Sequence, residues 1–232
     1  MAYPNGIAPH GFLSVNLIGG RVFSGAVRQI PIASGYNYNI GFGDLVTYTT
    51  DGTIVRVDTS SGAKATFASA PVGIFMGCAY TQTTGMKYFV TPQLWNAGTV
   101  ASDATAYVCE DPDAIFKVTV TNGSGTVYTS SAATQANVGQ NIGYYQPTTY
   151  VNTTTGDSAV SANLASAATT NTLPLRIVDV VKERLNGKEI VDCLFYLNQR
   201  WQPDTITIEA GAIEKSLGAF INVEMFENGG AF

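Results

Sequence analysis

The chain has 232 residues, of which 45% are hydrophobic and 11% aromatic, while Asp, Glu, Lys and Arg together supply only 12%, about half the usual charged share of a globular protein. Its polarity comes from Thr, Ser, Asn, Gln and Gly, which hydrogen-bond without the desolvation cost of a full charge and suit turns, sheet faces and surfaces that another subunit covers. Twelve Lys and Arg against 17 Asp and Glu, a net charge of −5, leave no electrostatic footprint for a phosphate backbone, so nucleic acid is not an expected partner.

Residues 1–20 hold Pro4, Gly6, Pro9, Gly11, Gly19 and Gly20 among scattered apolar side chains. No period survives such punctuation, and an extended N-terminal arm is expected. The N-terminus has no basic region followed by an apolar core, and no apolar run approaches the ~18–20 residues of a membrane span. Synthesis in the cytoplasm with no membrane partner is therefore expected. From residue 21 onward, short apolar runs recur between turn signals at the roughly 8–12-residue spacing of a sandwich or barrel. Strands are expected at 27–32, 45–48, 54–57, 72–80, 87–90, 104–108, 115–121, 175–181, 190–197, 205–209 and 220–226.

The alternation is clearest where Phe116, Val118 and Val120 fall on one face and Lys117, Thr119 and Thr121 on the other, which predicts a half-buried strand. In 190–197 apolar residues occupy both faces, so both are expected to be covered. Residues 121–174 are dominated by Thr, Ser, Ala, Asn and Gly. They fit either a disordered linker or a long loop ordered by side-chain to backbone hydrogen bonds. Within them Val160 and Leu164, four apart, allow a short helix over 158–168. The expected fold is all-β, a sandwich or barrel of short antiparallel strands. Its parts are the arm 1–20, a β-rich domain 21–198 that admits subdomains of about 21–95 and 96–198, and a C-terminal extension 199–232.

Catalytic chemistry has few carriers. The one histidine, His10, lies in the arm, too loosely held to serve a Ser-His-Asp or Cys-His site. Cys78, Cys109 and Cys193 lack CxxC spacing and lie in strand-like runs, so reduced, buried thiols are expected. Glu110, Asp111 and Asp113 lack the ligand spacing of an EF-hand loop, and around Pro112 they read first as a turn. The basic stretch 182–188 also carries Glu183 and reads as a solvated loop. Gly41-Phe42-Gly43 runs into a strand, not a helix, and so lacks the context of a phosphate cradle. Gly43 permits positive φ, Asp44 caps the turn before a strand, and Asp51-Gly52 signals a two-residue hairpin. Trp95 with Tyr88 and Phe89, or Trp201 with Tyr196, could stack on a sugar, though such aromatics more often anchor cores or interfaces. No cofactor or metal is expected, and the chain does not read as an enzyme.

An ordered series of motifs carries a resemblance. It begins with Phe23-Ser24-Gly25-Ala26-Val27-Arg28-Gln29-Ile30-Pro31-Ile32-Ala33-Ser34-Gly35-Tyr36, then Gly43-Asp44-Leu45-Val46 and Asp51-Gly52-Thr53. It continues through Pro71-Val72-Gly73-Ile74-Phe75-Met76-Gly77-Cys78-Ala79-Tyr80 and Glu110-Asp111-Pro112-Asp113-Ala114-Ile115-Phe116. Asn152-Thr153-Thr154-Thr155-Gly156-Asp157-Ser158 and Leu173-Pro174-Leu175-Arg176-Ile177-Val178-Asp179 complete it. Each motif alone encodes ordinary turn-and-strand chemistry; the series, over roughly residues 4–198, resembles a family of capsid decoration (cement) proteins of tailed phages, including marine and cyanobacterial ones. Residues 199–232 depart from that family's pattern.

The resemblance implies a virion protein on the outer capsid surface, a homotrimer at three-fold positions that clamps neighbouring major capsid subunits against internal DNA pressure. Aromatic and apolar anchors are then the expected contacts: Tyr3, Phe12 and Leu17 in the arm, Tyr144, Tyr145 and Tyr150 in the long loop, and Trp201, Phe220, Phe226 and Phe232 in the tail. The arm and tail could instead fold back on their own core. The alternatives to a shell protein are a tail, baseplate or fibre component of similar composition and a carbohydrate-binding β module. A major capsid protein would need a long spine helix, which no segment supports.

Overall fold

A computed structural model describes residues 9–25, 27–57, 71–82, 87–91, 93–128, 132–147, 151–169, 173–185 and 188–195. The expected strands at 205–209 and 220–226 lie outside them. The described residues are all-β, with one 3₁₀ turn at Gln135–Asn137.

Strands β1 (Leu13–Leu17), β10 (Ala114–Thr121), β11 (Asn141–Tyr145), β12 (Ser161–Ala168), β13 (Leu175–Leu185) and β14 (Lys188–Phe195) make one sheet. β10 pairs with β12 in parallel, β12 with β11, β11 with β13, β13 with β14, and β14 returns to β10. Five strands thus close into a ring, which removes sheet edges that would otherwise be exposed. A strand has only two edges. With β14 along one edge of β10, β1 and β12 share the other, β1 at Leu13↔Lys117 to Leu17↔Ala114 and β12 at Val120 and Thr121.

The second sheet runs in the order β2 (Arg28–Pro31), β9 (Thr105–Cys109), β6 (Gly73–Gln82), β4 (Leu45–Tyr48), β5 (Ile54–Arg56), and β7 (Lys87–Thr91) pairs with β6. β3 (Ile40–Gly41) and β8 (Leu94–Trp95) pair with each other as a separate two-stranded ribbon. The two faces of this sheet serve two cores, because side chains alternate along a strand. Leu45 and Ile74 join Phe116, Val118, Val120, Ile142, Tyr144 and Leu175 of the ring in one cluster. Their neighbours Val46 and Phe75 join Ile30, Ile40, Ile54, Trp95 and Val108 in the other. All these strands fall within one unit, Met1–Arg200. The division at 95/96 therefore does not coincide with the sheets: β9 belongs with the first-half strands and β1 with the second.

Several expectations need correction. Residues 13–17 of the arm are a strand, and 158–168 contains the strand β12, not a helix; its run of Ser, Ala and Asn is narrow enough to lie between β10 and β11. The 121–174 stretch is neither linker nor a single loop. It holds β11 and β12 beside turns ordered as the second expectation had it: Asn122 Oδ1 accepts from the Ser124 and Thr126 N–H groups. Thr119 and Thr121 are buried, so β10 is covered on both faces. Of the basic stretch, residues 182–185 lie on the end of β13 and Lys188 begins β14, with Leu185 opposite Lys188, rather than in a loop. The Asp51-Gly52 hairpin is longer than two residues. Thr49 N–H donates to Thr53 O at 2.8 Å and Gly52 N–H to Thr49 O at 3.1 Å, which leaves residues 50–52 as the loop. Gly52, at φ 75°, takes its left-handed position.

Candidate functional site

The densest convergence of chain segments is at Asp44, in the sharp turn between β3 and β4. Asp44 is fully buried. Its N–H donates to Gly41 O at 3.0 Å, and its Oδ2 accepts from Gly41 N–H at 2.7 Å. Its Oδ1 accepts from the Ser158 hydroxyl, which itself accepts from Val160 N–H at 3.0 Å. Asp44 O accepts from Phe75 N–H at 2.9 Å, tying the turn to β6. The capping role expected of Asp44 is thus present, and it reaches across the fold as well as along it.

Glycines make the convergence possible. Gly43 has φ 86°, and its carbonyl accepts from Phe12 N–H at 3.0 Å. A Cβ on Gly43 would stand 2.8 Å from Phe12 N, and one on Gly41 would stand 2.8 Å from Gly156 O, contacts closer than van der Waals packing allows. Phe42 N–H is shared between Gln93 O and Gly156 O, each at 2.8 Å, and Phe42 O accepts from Ser158 N–H at 3.0 Å. Residues 11–12, 41–44, 75, 93 and 156–160 therefore meet at one joint between the two cores.

Burial withdraws the Asp44 carboxyl from water and pushes its pKa from 3.8 up to about 7. The Ser158 hydroxyl, the Gly41 N–H and the Arg56 charge act in the opposite direction, in that order. The Ser158–Asp44 pair has the composition of a hydroxyl nucleophile and its base. With Asp44 at 0% and Ser158 at 1% exposure, neither can meet a substrate in this fold; the pair holds the joint.

Of the expected contact residues, Phe12 and Tyr144 lie in the core at 0% exposure and cannot anchor a partner as the fold stands. Phe12 meets the Phe116 ring edge-on, with centroids 6.4 Å apart and planes at 83°. Tyr144, on β11, shares the same cluster. Both were expected at a surface because their sequence neighbours are loop-like, whereas the period of two along β11 turns Ile142 and Tyr144 to one side. Leu17 is half-buried against the core, and Tyr145 is half-buried with its ring beside Gly125. Tyr3, Tyr150, Trp201, Phe220, Phe226 and Phe232 lie outside the described residues.

Trp95 is also core. It is fully buried, meets Tyr80 edge-on at 5.4 Å, and its indole N–H donates to Tyr36 O at 3.4 Å. Of the two readings of Trp95, the core anchor holds and stacking on a sugar does not; Trp201 lies outside the described residues. Exposed apolar side chains include Val22 and Val100 and, two apart on β7 and so on one face, Tyr88 and Val90 with 61% and 59% exposure.

The acidic turn is built as expected: Asp111 Oδ1 accepts from Asp113 N–H at 2.9 Å. Its outer carboxylates form ion pairs, Asp113 with Arg21 at 3.0 Å and Glu110 with Arg28 at 3.2 Å, and Glu110 also accepts from Tyr48 OH. Cys78 and Cys109 are buried thiols; the Cys193 side chain lies outside the described residues. His10 is partly buried, its Nδ1 3.0 Å from Gly11 O. No helix among the described residues is long and apolar enough to cross a membrane.

Sequence reasoning assigned Asp44 a local cap and gave Ser158 no role of its own. The signal that could have joined them is the pairing of Gly-Phe-Gly-Asp at 41–44 with Gly-Asp-Ser at 156–158, two glycine-acid turns that lean on each other. No family model, no curated protein and no solved structure matches the chain.

Proposed function

We propose that the protein decorates the outer surface of a tailed-phage capsid and cements neighbouring major capsid subunits. The observation that carries this reading is the ordered motif series together with the place its members take in the fold. Gly43-Asp44-Leu45 and Asn152 to Ser158 meet at the Asp44–Ser158 bond, Pro71 to Tyr80 supplies the sheet wall shared by both cores, and Leu173 to Asp179 opens β13. The resembling residues thus build the joints of a single fold, as members of one family unit would.

Such a protein does no chemistry. Its effect is a binding free energy added at many copies to subunit contacts that packaged DNA strains outward. A rigid, low-charge β body suits that task, because desolvating Thr, Ser and Asn at a contact costs less than desolvating ions. With Phe12 and Tyr144 in the core, the contact surface is drawn from the exposed Tyr88 and Val90 of β7, with half-buried Tyr145 as a further contact. Quantitative mass spectrometry of purified virions from the source tests the reading. Hundreds of copies per particle support a shell protein, whereas a dozen or fewer would assign it to the tail or baseplate, and absence from virions would end the proposal.

A further inference from the structure

Asp44 is a carboxyl with no solvent exposure, and it sits where a change of charge has much structure to act on. Two demands conflict there. The donors suit a carboxylate: Gly41 N–H occupies Oδ2, the Ser158 hydroxyl occupies Oδ1, and Val160 N–H holds that hydroxyl from its other side. The surroundings suit the neutral acid, since the neighbouring chain is apolar and tightly apposed through Gly11, Gly41, Gly43 and Gly156.

We propose that the Asp44 joint is a proton-operated coupler between the two cores. In the protonated form it clamps residues 11–12 and 156–160 onto 41–44; loss of the proton loosens that clamp. The coupler stands apart from the capsid reading, since it rests on the geometry of this joint alone. Oδ1 is the oxygen that takes the proton, because a backbone N–H at Oδ2 cannot reverse while a hydroxyl at Oδ1 can. On protonation, Oδ1–H donates to Ser158 Oγ, which gives up its own donation to Asp44 and goes on accepting from Val160 N–H.

The other ionisable groups on the segments that pack here are few. Arg56 on β5 acts on Asp44 directly; His10 precedes Gly11, and Asp157 precedes Ser158. Residues 40–43, 45–46, 73–76 and 93–95 carry none. Burial, the largest influence on Asp44, raises its pKa from 3.8 to about 7. A carboxyl that holds its proton more tightly when folded stabilises the fold most in acid. Its contribution is whole below the ordinary value, declines as the pH rises from there to about 7, and is gone above. Across that window the folding equilibrium constant falls up to about tenfold per pH unit from this group.

Amide hydrogen exchange on the full chain between pH 5.5 and 8.5, corrected for the intrinsic pH dependence of exchange, tests the coupler. Protection at Phe12, Gly41 and Val160 is expected to fall by up to about tenfold per pH unit from pH 5.5 to about 7 and to level off above it. Asp44→Asn keeps an oxygen for Gly41 N–H and offers an amide N–H to Ser158, so it should abolish the step, while His10→Gln should keep it. A wild-type profile without the step, a step that persists in Asp44→Asn, or one that vanishes in His10→Gln would each overturn the proposal. Should Asp44→Asn fail to fold, the Asp44 carboxyl carbon followed by NMR in the unaltered protein decides: a midpoint near neutrality supports the coupler, and one below about 5 contradicts it.

Discussion

Asp44 and Ser158, 114 residues apart in the chain, share a buried hydrogen bond at the joint between the two hydrophobic cores. The serine serves both sides of that joint, donating to Asp44 and accepting from Val160 N–H at 3.0 Å. Ser158→Ala therefore removes a hydrogen bond to a carboxyl and leaves a buried amide without its acceptor. Urea denaturation at pH 5.5, where the joint is clamped, should show a loss of about 2–4 kcal/mol; a loss below about 0.5 kcal/mol would mean that the bond contributes nothing net.

Gly43 and Gly52 both have positive φ, 86° and 75°, but only Gly43 is enclosed. A Cβ at Gly43 meets the Phe12 backbone, while none of the structure lies within 4 Å of one at Gly52. Gly52→Ala should cost about 1 kcal/mol, the left-handed penalty alone. Gly43→Ala adds a backbone clash and should cost at least ~2 kcal/mol more. Equal losses in paired denaturation curves would refute the close approach.

Phe12 and Phe116 form an edge-to-face pair with 0% and 1% exposure. Each Phe→Ala substitution should cost about 3–5 kcal/mol. The double substitution should fall short of the sum by about 1 kcal/mol, the coupling of an aromatic contact. Because β1 completes its own sheet, deleting 2–17 should lower the Tm of the isolated protein. An unchanged Tm would restore the arm as a free contact segment.

Much of the fold is legible in the sequence where large apolar side chains keep a period of two. The expected 45–48 coincides with β4, and 115–121 with all but the first residue of β10. Legibility fails where strands are built from small or polar residues. β12, Ser-Ala-Asn-Leu-Ala-Ser-Ala-Ala, offers helix spacing through Val160 and Leu164 but is a strand because β10 and β11 flank it. Phe12 misleads for a related reason: glycine and proline around it suggest an arm, while its own burial is decided by Gly43 and Phe116, which no local pattern names. The Asp44 joint is half-legible, its glycine-acid turn visible and its distant partner not.

Tyr88 and Val90 present about three-fifths of their surface to solvent on β7, at 61% and 59%. Tyr88→Ser with Val90→Ser should change the Tm by less than about 2 °C, since little burial is lost. Under the capsid reading the same pair should weaken binding to expanded capsids at least tenfold, in a sedimentation assay. Undiminished binding would remove β7 from the contact surface.

A cryo-EM map of the virion tests the cement assignment most directly. The account predicts an all-β density on the outside of the shell, repeated at equivalent lattice positions across neighbouring major capsid subunits, into which the ring of β10 to β14 and its companion sheet fit. Density confined to the tail or baseplate, or a shell with none of this fold upon it, would contradict it.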